Sequence, residues 1–173
     1  MKKITKFLIL LFAINFQTLS FAEVPHFLDF KYILNQSQAG KNAQKMLKNK
    51  LENGIKKLEE KEKKIQEEEK KIVAQKKIIS PEEYKNKVSE LRNKVSSLQK
   101  ERNNLLNDVA KQRTKARNEL LKNLNPIIKD YMVEKKIRMV IDKKSLLLAD
   151  DKLDITKDIM ALLNNKLKSI KFN

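Results

Sequence analysis

The sequence predicts an α+β fold that is mostly helical, in which a small β-containing body bears a long antiparallel coiled-coil hairpin. Only 2 glycines and 3 prolines occur among 173 residues, and 35% of the residues are charged, a composition typical of long helices rather than of a barrel or a sandwich. Apolar residues recur at helical spacing through residues 41–125. Strand-like segments lie near both ends of the chain, which predicts that the two ends meet in one body.

The first 22 residues have the three parts of a secretory signal peptide. A lysine-rich start precedes an apolar run over residues 7–16, and Ser20 and Ala22 are small residues at the two positions that signal peptidase inspects. The run is much shorter than the about 20 apolar residues that span a bilayer, which disfavours a membrane anchor. We expect cleavage after Ala22 and export of residues 23–173.

The exported chain is strongly basic. The formal net charge is +17, and it falls to +14 when the three lysines of the signal peptide are removed. The sequence has no cysteine, which excludes disulfides and thiolate metal sites. Since long helices expose most of their surface, a single chain of this composition buries only a modest core, and we expect it to associate.

The first part of the body precedes the long helices. Residues 23–30 (EVPHFLDF) read as a short strand in which Pro25 suits an edge or a strand start. Asp29 is a predicted N-cap for a short helix, FKYILNQS. The small residues within 38–41 permit a bend before the first long helix.

The first helix of the hairpin, over residues 41–79, has only half of a coiled-coil seam. Charged residues, among them Glu62, Glu69 and Lys76, occupy most positions where a second apolar residue is expected. Gly54 weakens the middle by up to about 1 kcal/mol relative to alanine. The apolar positions are Leu47, Leu51, Ile55, Leu58, Ile65, Ile72 and Ile79.

The second helix begins with a strong start signal and has a fuller seam. Ser80 is a predicted N-cap, Pro81 suits the first helical turn, and Glu83 is a capping glutamate. Because few residues separate the two helices, the chain reverses and forms an antiparallel hairpin of about 60 Å, from limbs of about 40 residues. The seam, with Arg102 and Gln112 as polar exceptions, comprises Tyr84, Val88, Leu91, Val95, Leu98, Leu105, Val109 and Ala116.

The second part of the body starts where Pro126 is expected to break or kink the helix, which resumes over 127–135. Residues 137–142 and 145–149 read as two strands joined by a turn at two lysines. Asp154 is a predicted N-cap for a last helix, ITKDIMALLNNKLKSI. We therefore divide the mature chain into an oligomerisation body, 23–40 with 126–173, and a hairpin arm, 41–125.

Several short motifs follow one another along the mature chain. They are Leu28-Asp29, Ser37-Gln38-Ala39-Gly40-Lys41, Ser80-Pro81-Glu82-Glu83 at the hairpin tip, Met139-Val140-Ile141-Asp142, Leu153-Asp154-Ile155-Thr156 and Leu162-Leu163-Asn164. In this order they resemble the Skp/OmpH family of periplasmic chaperones, and the resemblance covers essentially all of the mature chain. The resemblance implies a homotrimer whose strands build a central β-body, with three helical arms that enclose a cavity for unfolded outer-membrane proteins. It also implies a periplasmic location.

The predicted function is an ATP-independent holdase that keeps unfolded outer-membrane proteins from aggregating. No glycine-rich phosphate cradle occurs in the sequence, so we expect no nucleotide and no cofactor. Residues 41–79 carry 13 lysines against 7 glutamates, a net charge of +6, and residues 81–125 carry a net charge of +5. Such a surface attracts acidic polypeptides and anionic lipid headgroups, including lipopolysaccharide.

Two groups of apolar residues are candidates for binding. Contacts on the arm, at around 1 kcal/mol each, would hold a client while leaving it mobile. The candidate client-binding residues are Met46, Ile55, Ile78, Ile79 and Tyr84. The candidate residues of the oligomer body are Val24, Phe27, Leu28, Phe30, Val140, Ile141, Leu146 and Leu148.

Simpler interpretations compete with these predictions. The Lys/Glu runs are also typical of the solvated face of a coiled coil, and Tyr84 also suits packing at the seam or tip. His26 is the only histidine, and a lone imidazole does not make a metal site. Caps and turns account for most aspartates, so we expect no catalysis; these are Asp29, Asp142, Asp150, Asp151, Asp154 and Asp158.

Two other functional classes remain as alternatives. A structural coiled-coil scaffold of the cell envelope is one, although an uninterrupted heptad pattern and an anchor would be expected of it. A nucleic-acid-binding protein is the other, since the pI is about 9.9 and the helices are basic. Export would separate the chain from nucleic acid, so we expect no nucleic-acid partner.

Overall fold

A computed structural model describes residues 24–172, so the predicted signal peptide lies outside the described residues. Two parallel strands and four helices make up these residues, with two short 3₁₀ turns, Lys143–Ser145 and Asp151–Leu153, after the second strand. The prediction of a mostly helical chain with few strands is confirmed. The elements are β1 (His26–Leu28), α1 (Phe30–Gln36), α2 (Gln38–Gln75), α3 (Pro81–Glu134), β2 (Val140–Asp142) and α4 (Thr156–Lys166).

The strands bring together the two ends of the described chain. β1 pairs with β2 in parallel, with His26 opposite Val140 and Leu28 opposite Asp142. On the other side of β1, the amide of Ile155 donates to the carbonyl oxygen of Phe27 at 2.9 Å. Hydrogen bonding between residues more than 100 positions apart thus joins the first and last parts of the body, as the strand-like segments predicted.

The hydrophobic core lies where α1, the start of α2, the end of α3 and α4 meet. Ile33, Leu124, Ile159 and Leu163 are fully buried there, one or two from each of three helices. The hydroxyl of Tyr131 donates to Asp158 Oδ2 at 2.6 Å and so joins α3 to α4. This hydrogen bond raises the pKa of Tyr131 to about 12, because loss of the proton would set two negative charges side by side.

Side-chain caps begin three of the helices. Asp29 Oδ1 accepts a hydrogen bond from Tyr32 N at 2.7 Å, and Ser80 Oγ accepts one from Glu83 N at 3.2 Å, with Pro81 in the first turn. Both predicted caps are confirmed. The start of α2 lies three residues earlier than predicted, because Ser37 Oγ caps it by accepting from Gly40 N at 3.2 Å.

Of the break or kink expected at Pro126, the break is wrong, because α3 continues through this proline to Glu134. Proline removes one backbone donor and crowds the preceding turn, which costs a helix about 3 kcal/mol. Leu124 and Ile127, on either side, are both buried in the core. Their packing holds the backbone helical where the local preference is to stop. The arm boundary drawn at residue 125 therefore falls inside a continuous helix.

Replacement of Pro126 by alanine is expected to stabilise the protein by about 1–2 kcal/mol. The substitution restores an amide donor and removes ring strain, while the less restricted unfolded chain offsets part of the gain. Thermal unfolding followed by circular dichroism at fixed protein concentration measures the change. Asn125→Ala, at the exposed neighbouring position, is the control and should leave the melting temperature within about 2 °C. A lower melting temperature for Pro126→Ala would contradict the expectation.

The predicted strand over residues 145–149 is wrong for the described chain. A 3₁₀ turn over Lys143–Ser145 follows β2, and Asp142 Oδ1 stabilises it by accepting from Lys144 N at 3.3 Å. Leu147 and Leu148 are 100% and 95% exposed. A strand needs a neighbour for its backbone hydrogen bonds, and the described part of the chain provides none beside this segment.

The last helix is shorter at both ends than predicted. α4 spans Thr156–Lys166, and Ile155 precedes it without a side-chain cap. Asp154 Oδ1 nevertheless accepts a hydrogen bond from Thr156 N at 2.9 Å. The aspartate therefore stabilises the first turn of α4 from the position before the N-cap residue. The Thr156 hydroxyl accepts a hydrogen bond from the backbone amide of Asp29 at 2.8 Å, and this bond connects the start of α4 to the end of β1.

Candidate functional site

The two long helices lie side by side and run in opposite directions. Ion pairs between them join Lys50 to Asp108, Lys61 to Glu101 at 2.5 Å, and Glu68 to Lys94 at 2.5 Å. The residue number on α3 falls as that on α2 rises, which fixes the antiparallel register. The hydrogen bond from Lys50 also lowers the pKa of Asp108. We refer to these helices as the α2–α3 pair.

The seam of this pair is thin. The buried apolar residues of the predicted seam lie mainly toward the body, whereas Leu91, Leu98 and Leu105 on α3 are only half-buried. The buried ones are Leu47, Leu58 and Ile72 on α2 and Val109 and Ala116 on α3. Val95, predicted in the seam, is 50% exposed and lies beside the Glu68–Lys94 ion pair, where α2 offers charge rather than an apolar partner. Its assignment to the seam is therefore wrong.

The polar exceptions of the two seams meet each other. Arg102 Nη2 lies 3.4 Å from Glu62 Oε2, so the missing apolar position on α2 faces the missing one on α3. Gly54 on α2 leaves room for the Leu105 side chain of α3, since an added Cβ at residue 54 would lie 2.5 Å from Leu105 Cδ2. Exposed ion pairs contribute little stability, and salt weakens them further. The pair is thus held by few apolar contacts and several weak electrostatic ones.

The five candidate client-binding residues do not form one patch. Met46, Ile55 and Ile78 are 51%, 41% and 82% exposed, and Ile79 and Tyr84 are half-buried. Met46 lies near the body, whereas Ile78, Ile79 and Tyr84 lie at the far end of the long helices. The 32 positions from Met46 to Ile78 correspond to roughly 45 Å, at about 1.5 Å per helical residue. Lys76 Nζ lies 5.8 Å from the centre of the Tyr84 ring and covers part of it.

The eight candidate residues of the oligomer body differ in their exposure. Phe27 and Leu28 are each 3% exposed within the single chain, and Leu28 belongs to the core. Val24 and Leu148 are largely exposed, at 58% and 95%. The half-buried ones are Phe30, Val140, Ile141 and Leu146.

Sequence reasoning missed several exposed apolar residues of the body, three of which are more than 55% exposed. Leu147 is 100%, Val133 81% and Met139 56% exposed. The predicted strand over residues 145–149 contributed Leu146 and Leu148 to the candidates, whereas the residue between them was left out. The unbroken Leu-Leu-Leu run at 146–148 was itself a signal, because three adjacent leucines at a turn leave at least one without a partner in a small body.

One edge of the sheet is open in the described chain. β1 has β2 on one side and a bridge to Asp154 on the other, whereas β2 pairs with β1 alone. The backbone groups at the outer edge of Val140–Asp142 are therefore available to another strand. Leu147 and Leu148 follow this edge within six residues.

Residues 24–172 contain neither a membrane-spanning helix nor a cluster of metal-ligating side chains. No helix there is both long enough and apolar enough to cross a membrane. No group of three or more histidine, aspartate or glutamate side chains in that range is arranged to hold a metal ion.

The fold places the chain in a class of mostly helical α+β proteins. In this class two long, basic, antiparallel helices extend from a small two-stranded body. Residues 26–163 match the family model for "Outer membrane protein (OmpH-like)", and the chain belongs to this OmpH-like family. A solved structure described as an OmpH-like outer membrane chaperone of Caulobacter crescentus CB15 is similar, with a TM-score of 0.82 and 21% identity. The alignment covers 92% of this chain and 95% of that chain. No curated protein matches the chain.

Proposed function

We propose that this protein is an ATP-independent holdase chaperone of the periplasm that binds unfolded outer-membrane proteins and prevents their aggregation. The observation on which this rests is the α2–α3 pair: a basic double rod with a thin seam and separated exposed apolar residues, in a chain of the OmpH-like family. The similar Caulobacter protein is described as an OmpH-like outer membrane chaperone, which supports the same role.

The proposed holding surface is an oligomer of three chains, whose α2–α3 pairs form hairpin arms around a cavity. The open edge of β2 and the exposed Leu147 and Leu148 support association through the body, because they are what a neighbouring chain would cover. Val24 and Met139, also exposed, would extend this contact. The exposed apolar side chains on each pair, such as Met46 and Ile78, lie far apart and offer no continuous face that would fasten one arm to another, so the arms can separate and close.

Client capture combines charge with weak apolar contact. The net charges of +6 and +5 on the two arm segments attract acidic unfolded chains at long range. Exposed side chains such as Ile78 and Met46 would then contribute around 1 kcal/mol each, enough in sum to hold a chain and too little singly to fix it. The same basic surface would contact anionic lipid headgroups, including those of lipopolysaccharide.

The purified protein should suppress aggregation when an outer-membrane β-barrel protein is diluted from urea at low ionic strength. Light scattering at increasing molar ratios of chaperone to client measures the effect. Capture should slow several-fold when salt is raised to 0.1 M or more, since the Debye length there is about 10 Å. Serum albumin at equal mass is the control for unspecific crowding. Scattering that stays unchanged across the whole range of chaperone excess would reject the function.

A further inference from the structure

A groove of about 860 Å³ lies where α1 meets the body-proximal part of the α2–α3 pair. We call it the shoulder groove. α1 and α2 form one wall and α3 the other, and Asn35 and Gln44 join the first two by a 3.0 Å side-chain hydrogen bond. The floor is apolar and comprises Leu34, Ala43, Leu47, Leu51, Val109 and Leu120.

The walls of the shoulder groove are basic along its whole length. Lys31 and Lys144 lie at the end next to the body, whereas Lys48 and Arg113 lie further along the long helices, with Arg117 between. Asp142 is the one acidic residue in the lining, and Lys144 already pairs with it at 3.3 Å.

Three of these cations have no partner within residues 24–172. Lys31, Arg113 and Arg117 are exposed and make neither an ion pair nor a hydrogen bond with the described side chains. Arginine presents planar paired donors that match a carboxylate. An apolar floor between unpaired cations therefore favours a ligand that is apolar on one side and carboxylate-bearing at its edges.

The length of the groove and the spread of its charges indicate the class of ligand. From Gly40 to Leu51, both in the lining, α2 rises about 16 Å, which matches about five residues of extended polypeptide. A single-headed amphiphile would need its cations at one end and an uncharged groove beyond. Here cations flank both ends, so repeated charges along the ligand fit better than one headgroup.

We propose that the shoulder groove binds an extended segment of unfolded polypeptide in which apolar residues alternate with Asp or Glu. The apolar side chains face the floor, and the carboxylates face Lys31, Arg113 and Arg117. This inference rests on the proposed holdase function and names the segment of client that is recognised. None of the five candidate client-binding residues lines the groove, so the contact differs from the one that the sequence predicted.

A fluorescein-labelled ten-residue peptide of alternating Leu and Glu provides the test, with binding measured by fluorescence anisotropy. The purified protein should bind it at least tenfold more tightly than peptides with Lys in place of Glu or Ser in place of Leu. Arg113→Glu/Arg117→Glu should weaken binding at least tenfold. The matched control, Arg92→Glu/Lys100→Glu, makes the same change of charge at exposed positions of α3 outside the groove and should cost less than threefold.

Lys31→Glu tests the opposite wall without threatening the fold. Residue 31 lies in the first turn of α1, where an acidic side chain is favourable to the helix dipole. Weaker peptide binding in this variant, at an unchanged circular dichroism spectrum, would support the groove even where the arginine variant is poorly folded.

Four results would overturn the inference. One is equal loss of binding in the groove variant and its matched control, and another is full binding by the folded arginine variant and by Lys31→Glu. A third is groove-dependent binding of monomeric dodecyl phosphate without binding of the peptide, which would assign the groove to an amphiphile. The fourth is a fall in oligomer mass in Arg113→Glu/Arg117→Glu, which would make the groove a contact between chains. The holdase function is tested separately, by the suppression of aggregation by the wild-type protein. A failure of the groove proposal therefore does not by itself reject the proposed function.

Discussion

Leu147→Asp/Leu148→Asp is expected to convert the proposed trimer into single chains and to abolish the proposed holding of clients. The two leucines are 100% and 95% exposed in the single chain, so neither contributes to the core of the protomer. Burial against a neighbouring chain would stabilise the assembly by about 1.5–3 kcal/mol per side chain. Aspartate removes that gain and adds an unpaired carboxylate, which is costly in a dry interface.

Light scattering coupled to size-exclusion chromatography measures this effect, since the mass should fall from three chains to one. The circular dichroism spectrum should not change, because the fold of each chain does not depend on these side chains. Val73→Asp/Leu106→Asp is the matched control, with 59% and 53% exposed apolar residues on the α2–α3 pair, and it should leave the mass unaltered. A wild-type protein that is already monomeric at micromolar concentration would remove the cavity from the proposal.

Gly40→Ala is expected to destabilise the protein by about 3 kcal/mol or more. Gly40 is buried in the first turn of α2, which presses against the last turn of α1. A Cβ atom at this position would overlap the carbonyl oxygen of Leu34 and lie 3.0 Å from its carbonyl carbon. Both are backbone atoms, so relief requires α1 to move away from α2, and overpacking of this kind is costly.

The melting temperature should fall by about 10 °C in this variant, measured at fixed protein concentration because the proposed association would also contribute to stability. Gly54→Ala, a glycine-to-alanine change in the same helix, is the control. Its added Cβ meets no backbone atom and only the Leu105 side chain, from Cδ2 at 2.5 Å to Cγ at 3.1 Å, which can turn aside. Alanine also favours a helix by up to about 1 kcal/mol. Its stability should therefore stay within about 1 kcal/mol of the wild type. Equal losses in the two variants would show that Gly40 has no special packing role.

Features encoded by neighbouring residues were predictable. Asp29 and Ser80 cap their helices because an N-cap needs only a short polar side chain and the two or three amides that follow it. The antiparallel arrangement of α2 and α3 follows from two long periodic segments with a short connection. Glu62 and Arg102 were recognised as interruptions of two separate seams, but their ion pair depends on a register that only the packed helices establish.

Features that depend on distant residues were not predictable. Pro126 reads as a helix stop in any local window, and it stays helical because Leu124 and Ile127 are held in a core that includes residues from α1 and α4. Residues 145–149 have the pattern of a strand but no neighbouring strand in the described chain. The shoulder groove combines side chains from three helices and the end of β2, so no single stretch of sequence contains it.

By itself, the sequence determined the long basic helices, their caps, the half-empty seam and the resemblance that the OmpH-like family match bears out. These follow from spacing and propensity over one to a few turns, where each residue acts on near neighbours. The tertiary structure alone decided the continuous α3, the exposed leucines after β2, the ion pairs across the seam and the shoulder groove. Their energies come from contacts between residues up to more than 100 positions apart, and such contacts exist only once the chain has folded.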